Sequence, residues 1–215
     1  MSIFQPDRYL LKKQVKKYAH YINGVVLDAG SGGDGERYKK FFKFDKYINL
    51  DINPNSGADI VGSVENIPLE SNSVDSIVST QVLEHVKNPV KAVCEFYRVL
   101  KSGGYCLVTV PQLNELHEEP YDYFRFTKYG LEEIFNQTGF KIILVERRGG
   151  FWVSNAQIKI RYTIDLFRLN KFWPLRWPFQ FFIWFNGYLA ILIDSFDKSK
   201  ASSKHALGWL IIAQK

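Results

Sequence analysis

The chain has only two cysteines in 215 residues, Cys94 and Cys106, and four histidines, His20, His85, His117 and His205. Two thiols cannot build a disulfide framework or a cysteine zinc site, and no two histidines have the spacing of a local metal motif. No metal is expected, and both cysteines read as reduced core residues. Residues 1–22 read as an N-terminal helical segment: Lys12, Lys13, Lys16 and Lys17 have no apolar run behind them, which argues against a signal peptide. Long hydrophobic runs are also lacking. The best candidate, Phe179 to Ile193, is about 15 residues, contains Gln180, Asn186 and Gly187, and falls short of the ~20 that span a bilayer. Internal repeats and low-complexity linkers are missing too, so a cytoplasmic protein is expected, peripheral to a membrane if its tail touches lipid.

What is present suits one globular domain over 1–215. The sequence is 46% hydrophobic and 23% charged, enough apolar material for a full core, which excludes disorder as the main state. Its net charge of +6 is unevenly placed. Residues 1–150 carry 19 Lys and Arg against 19 Asp and Glu, whereas 151–215 carry 9 against 3. All five tryptophans lie in that same basic tail.

From Val25 onward, short β-branched runs alternate with helical patterns, the signature of βαβ units and a parallel sheet. Strands are predicted at Val25 to Ala29, Lys46 to Leu50, Ala58 to Val61, Val74 to Ser79, Tyr105 to Val110, Lys141 to Val145 and Leu207 to Ala213. Between the fourth and fifth, Val90, Val93, Cys94, Tyr97, Val99 and Leu100 recur at helical spacing, and Gly103-Gly104 reads as the stop of that helix. Another helix is predicted from Lys128 to Thr138, with Thr127 as N-cap and Gly139 as its end. Residues 151–206 break the rhythm and read as an insertion before the last strand.

The loop after the first strand is Asp28-Ala29-Gly30-Ser31-Gly32-Gly33-Asp34-Gly35. Gly30, Gly32 and Gly35 satisfy G-x-G-x-x-G, and Asp51 follows at the end of the second strand, where an acid accepts hydrogen bonds from ribose hydroxyls. Alone, this pattern suggests a dinucleotide, and so an NAD-dependent oxidoreductase. Asp28 argues otherwise: a carboxylate two residues before the first glycine repels a pyrophosphate but attracts an amino-bearing, cationic ligand. A sulfonium with an amino-acid tail fits that charge pattern.

At these residues the sequence resembles the class I S-adenosylmethionine-dependent methyltransferases, in particular the branch called methyltransferase type 11. The resemblance rests on Asp28 to Gly32, Asp51, Gly62 to Leu69, Val74 to Ile77, Val82 to Val86, Arg98 to Gly104 and Leu207 to Ala213. Asp34 stands where the family commonly has a third glycine, and Ser63 where it has an aspartate. The implied fold is a doubly wound, mostly parallel seven-stranded α/β sheet of Rossmann-like type, with an antiparallel last strand and a helical insertion before it. The implied cofactor is S-adenosyl-L-methionine. Asp28, Ala29, Gly30, Ser31 and Gly32 would hold its methionine end and Asp51 its ribose. Ile52 and Val64 would flank adenine or else be core residues, with Ser63 beside them and Thr80 and Gln81 beneath the sulfonium. His85 would open the helix after the fourth strand as a capping or packing residue. A non-catalytic module on the same fold is the remaining alternative.

The segment Pro111 to Thr127 is long, polar and aromatic, and a doubly wound sheet places it at the carboxyl edge, beside the methyl group. Methyl transfer is an in-line displacement, so the protein must align acceptor and donor and take one proton if the acceptor is a hydroxyl. His117 is the first candidate base. Glu118 or Glu119 could replace it, and Asp122 and Arg125 read as a pair that fixes the loop. The loop also resembles those of type 11 enzymes linked to cell-surface polysaccharides, so the expected acceptor is a small or lipid-linked molecule, an oxygen of a saccharide first and a quinone-like ring next. In the tail, Arg161, Arg168, Lys171 and Arg176 alternate with Phe167, Phe172, Trp173 and Trp177. That mixture suits a helical lid, a homodimer contact, or a membrane surface met through 160–196. Nucleic acid is the unfavoured remaining partner.

Overall fold

The structure, a computed structural model, describes residues 3–32, 37–169 and 173–215, with the backbone alone for 173–178. Gly33, Asp34 and Gly35 of the glycine loop lie outside the described residues, as do Lys171 and Phe172 and the side chains of Trp173, Arg176 and Trp177. The chain divides into two compact units. The larger takes residues 14–112, 116–146 and 208–215, and the smaller takes 1–13, 113–115 and 147–207.

The larger unit is built on a seven-stranded sheet of order β3-β2-β1-β4-β5-β7-β6. The strands are β1 (Val25–Ala29), β2 (Lys46–Asp51), β3 (Ile60–Val61), β4 (Val74–Thr80), β5 (Leu100–Pro111), β6 (Lys141–Arg148) and β7 (Gly208–Gln214). β1 pairs in parallel with β2 and β4, β4 pairs in parallel with β5, and β7 runs antiparallel to β5. This is the expected doubly wound α/β sheet with an antiparallel last strand. Central strands buried on both faces read as near-continuous apolar runs, and Val26, Leu27, Ile77, Val78, Leu107 and Val108 are fully buried in theirs.

Helix α2 (Pro89–Val99) starts where Asn88 accepts a hydrogen bond from the Lys91 amide at 3.0 Å, with Pro89 in the first turn. Ala92, Val93, Phe96 and Val99 recur on one face and are buried against the sheet. A buried phenylalanine such as Phe96 contributes about 2–3 kcal/mol. Gly103-Gly104 does not end this helix; the chain enters β5 directly at Leu100. The pair serves a bulge instead. Gly103 has φ +80, the β4–β5 register shifts between Val74 and Ser76, and a Cβ on Gly104 would meet the Asp75 carbonyl oxygen at 2.7 Å. Helix α3 (Lys128–Gln137) matches its predicted bounds: the Thr127 hydroxyl accepts from the Gly130 amide at 3.1 Å, and Gly139 takes φ +90. Cys106 is buried, which pushes its thiol pKa up, whereas Cys94 is exposed on α2 and not the core residue expected.

α1 (Pro6–Tyr18) meets the expectation of a helical N-terminal segment. The smaller unit gathers its first turns with the predicted insertion, which forms α4 (Phe151–Leu166) and α5 (Trp173–Phe196). Asp194 of α5 caps α4, its carboxylate accepting from the amides of Gly150 at 2.6 Å, Trp152 at 3.0 Å and Val153 at 3.3 Å. α5 is continuous for 24 residues, longer than the interrupted stretch expected. Gly187, which reads as a breaker, is small for a packing reason: a Cβ there would come within 2.5 Å of the Phe4 ring. The window Phe179–Phe196 has mean hydropathy 1.3 and is long and apolar enough to cross a membrane, with 17% of it buried. Ile183 and Ala190 face inward, whereas Phe181, Phe182, Phe185, Leu189, Leu192 and Phe196 are exposed.

Candidate active site

The site is assembled at the carboxyl ends of β1, β2, β4 and β5, all within the larger unit. β1 ends in the glycine loop, and two backbone bonds tie the loop to β2: Gly30 and Ser31 amides donate to the Leu50 carbonyl at 2.8 and 3.1 Å. Gly30 has φ +83, and a Cβ on it would sit 2.5 Å from a Val82 methyl, so the loop presses against the chain leaving β4. Gly32 has φ +62 and open space where a Cβ would be. Beside it, the Ser31 hydroxyl is buried without a hydrogen-bond partner among the described residues. A backbone cradle with an unsatisfied hydroxyl is what a polar ligand would complete.

Asp51 is buried and holds this loop: one carboxylate oxygen accepts from the Gly32 amide at 2.7 Å, the other from the Asn53 amide at 2.8 Å. The next residue, Ile52, is 74% exposed, so it is not the core residue that one reading allowed, and its face is available as a platform for a flat ring. Val64, by contrast, is packed into the main core. Ser63 turns the chain locally, its hydroxyl accepting from the Glu65 amide at 3.1 Å. Asp28 is buried near the end of β1 and accepts from the Tyr47 hydroxyl at 2.8 Å. Burial raises its pKa to about 7, the Tyr47 bond lowering it and the Asp51 charge raising it by smaller amounts. A ligand ammonium would offset that burial, so Asp28, the Ser31 hydroxyl, the glycine cradle, Asp51 and Ile52 fit a nucleoside with an amino-acid tail.

Thr80 and Gln81 stand where β4 ends. Gln81 has a left-handed backbone, φ +58, pinned by its amide to the Thr109 carbonyl at 2.9 Å, and its side chain donates to the Thr109 hydroxyl at 3.3 Å. The chain then makes a short turn over Leu83–His85 before α2. His85 therefore does not cap α2, a role taken by Asn88; its Nδ1 lies 2.7 Å from the Tyr121 carbonyl. His85 and His117 meet edge to face, ring centres 4.8 Å apart. Sequence spacing gave no sign of this pair, because its members follow two different strands that the sheet makes neighbours. Buried Glu84 completes the group.

His117 is fixed by Asp122, which accepts from its amide at 3.0 Å and lies 3.3 Å from its Nδ1. Asp122 and Arg125 pair as expected, through two bonds of 2.7 and 2.8 Å. That guanidinium holds the Asp122 carboxyl well below the usual carboxylate range, with a smaller contribution from the His117 amide. Glu118 and Glu119 are exposed and do not join the group.

Residues 27–108 match the family model described as a methyltransferase domain. An uncharacterized protein of Methanocaldococcus jannaschii is 28% identical over 171 residues, 74% of this chain and 72% of that one. A protein of Mycolicibacterium smegmatis named as a probable S-adenosylmethionine-dependent methyltransferase is 42% identical over 50 residues, 23% of this chain and 20% of that one. Among solved structures, that of an S-adenosylmethionine-dependent methyltransferase from Archaeoglobus fulgidus superposes with TM-score 0.60 at 16% identity, over 97% of this chain and 94% of that one.

Proposed function

We propose that this chain, a class I S-adenosylmethionine-dependent methyltransferase, methylates an oxygen of an amphiphilic acceptor, a lipid-linked saccharide first. The observation that carries the amphiphile is the exposed apolar stripe of α5: Phe181, Phe185, Leu189, Leu192 and Phe196 recur at helical spacing on its outer side. Exposed Lys198, Lys200 and Lys204 follow it. An apolar face ending in cations suits an anionic lipid surface. In the loop that carries His117, Leu116, Tyr121, Tyr123 and Phe124 are exposed, and the three aromatic rings suit stacking on a sugar ring. A polyprenylated quinone-like ring would meet the same surfaces and is the second acceptor to test.

S-adenosylmethionine supplies a methyl group on a positively charged sulfur, which leaves as a neutral thioether. The chain's own residues bind and orient. Asp28 receives the amino group, Asp51 the ribose hydroxyls and Ile52 the adenine. Thr80 and Gln81, held by Thr109, fix the floor of the site. The acceptor hydroxyl is activated at His117, in the simplest form by transfer of its proton to Nε2. Asp122 holds Nδ1, which makes Nε2 the basic nitrogen of the ring, and Arg125 holds Asp122.

The test is release of S-adenosylhomocysteine with pooled acceptors in three classes: polyprenyl-linked saccharides, quinone-like rings and soluble amines. Turnover with the first, strengthened by anionic vesicles, is the expected result. Turnover confined to soluble amines would overturn both the oxygen and the amphiphile.

A further inference from the structure

We infer that Glu84, His85 and His117 form a binding site for one divalent transition-metal cation of the zinc class. The inference rests on the reading that the acceptor hydroxyl meets His117, and it makes that activation a coordination step. The three side chains each present one ligand atom, and these atoms all lie within 4.8 Å of one another. His85 Nε2 lies 3.9 Å from a Glu84 carboxylate oxygen. Two ligand atoms bound at about 2.1 Å to a tetrahedral zinc stand roughly 3.4 Å apart, so the set is slightly open and closes with small side-chain rotations.

The second nitrogens of the two rings give an independent observation. A metal-bound histidine almost always directs its other ring nitrogen to a carbonyl or carboxylate, which fixes the tautomer and the ring orientation. Here both rings do so: His85 Nδ1 is 2.7 Å from the Tyr121 carbonyl, and His117 Nδ1 is 3.3 Å from the Asp122 carboxylate. With the proton on Nδ1 in each ring, Nε2 is the nitrogen of metal-ligand type. Asp122 is itself clamped by Arg125 and by the His117 amide, so the outer ring of contacts is complete before any ion arrives.

The donor set selects the metal. Magnesium and calcium prefer oxygen ligands and retain water, whereas two imidazoles and one carboxylate suit zinc, iron, cobalt or nickel. Three protein ligands also leave an open position, as catalytic sites do and structural ones do not. That position takes the acceptor oxygen. Coordination lowers the hydroxyl's pKa, and its proton leaves to solvent. The C–O bond then forms as the C–S bond breaks, with the electron pair of that bond staying on sulfur.

The experiment uses the full chain, stripped with chelator and titrated with Co(II) and Zn(II). One Co(II) per chain, with visible ligand-field absorption displaced by Zn(II), is expected. His85→Ala and His117→Gln should weaken Co(II) binding at least 100-fold. Asp122→Asn, which loosens an outer contact, should weaken it about tenfold. S-adenosylhomocysteine binding, measured on the same samples, reports that each variant is folded. His117→Gln and Asp122→Asn change loop residues, so they keep the test valid if His85→Ala unfolds. Failure to bind Co(II) or Zn(II) stoichiometrically, or affinities unchanged in folded variants, would overturn the site. Methylation that proceeds at full rate after chelation would leave direct proton transfer to His117 and remove the cation. A bound cation with no methylation of any hydroxyl acceptor would instead overturn the acceptor reading and leave the site.

Discussion

The Tyr47 hydroxyl, on β2, donates to the carboxylate of Asp28, on the neighbouring β1, at 2.8 Å. Among the described residues this bond is the hydrogen bond that supports an acid whose burial lifts its pKa from 3.8 to about 7. The acid is more readily protonated in the folded chain than in the unfolded one. Stability from the neutral form is therefore fully present below pH 3.8 and is lost as pH rises through about 7, by up to roughly 4 kcal/mol. Thermal unfolding should show the wild type weakening between about pH 4 and 7 and levelling off above, with Asp28→Asn holding steady. S-adenosylhomocysteine, by bringing an ammonium to the ionised form, should bind more tightly as pH rises through 7 to the wild type but not to the variant. A flat affinity profile in the wild type would separate Asp28 from the ligand's amino group.

Asp51 holds the Gly32 amide, and in the proposed function its remaining lone pairs serve the ribose. Asp51→Ala should lower S-adenosylhomocysteine affinity by about 1–3 kcal/mol. Gly30→Ala should lower it by a different route, since φ +83 and the 2.5 Å approach to Val82 force the loop to move. Isothermal titration of the two variants checks both, and unchanged affinity in Asp51→Ala would assign the ribose elsewhere.

The glycine loop and Asp51 were legible because a tight turn and a strand-end acid lie within one βα unit, so spacing alone carries them. The strands and α3 were legible for a related reason: β-branched runs, the Thr127 cap and the Gly139 stop are local signals. Gly103-Gly104 misled because a bulge and a helix stop both demand left-handed backbone, and only pairing with β4 tells them apart. α5 looked interrupted because the reason for Gly187, the ring of Phe4, is 183 positions away in sequence. Glu84, His85 and His117 were hidden for the same cause, their proximity being made by the β4–β5 pairing rather than by spacing.

His117→Gln removes the group proposed to activate the acceptor hydroxyl. Turnover should fall by roughly 10²-fold or more, with S-adenosylhomocysteine affinity unchanged. Arg125→Met should give a smaller loss of turnover in the same direction, since it acts only by loosening Asp122 and through it His117. Steady-state rates alongside ligand titration separate the two effects. Wild-type rates in His117→Gln would move activation to Glu118, Glu119 or solvent.

The attraction proposed between the outer stripe of α5 and a lipid surface has two physically separable parts. Apolar burial of Phe181, Phe185 and Leu192 is insensitive to salt, whereas the pull of Lys198, Lys200 and Lys204 on anionic headgroups is screened over about 8–10 Å at ordinary ionic strength. Co-sedimentation with phosphatidylserine vesicles should therefore fall with salt but not vanish. Replacing Phe181, Phe185 and Leu192 together by Ser should remove the salt-resistant part, and replacing the three lysines by Gln should remove the salt-sensitive part. Neither change touches the residues that line the glycine loop, so S-adenosylhomocysteine binding should survive both. If vesicles are ignored at low salt and the Ser variant unfolds, the stripe is covered by protein, and the lipid-linked acceptor loses its main support.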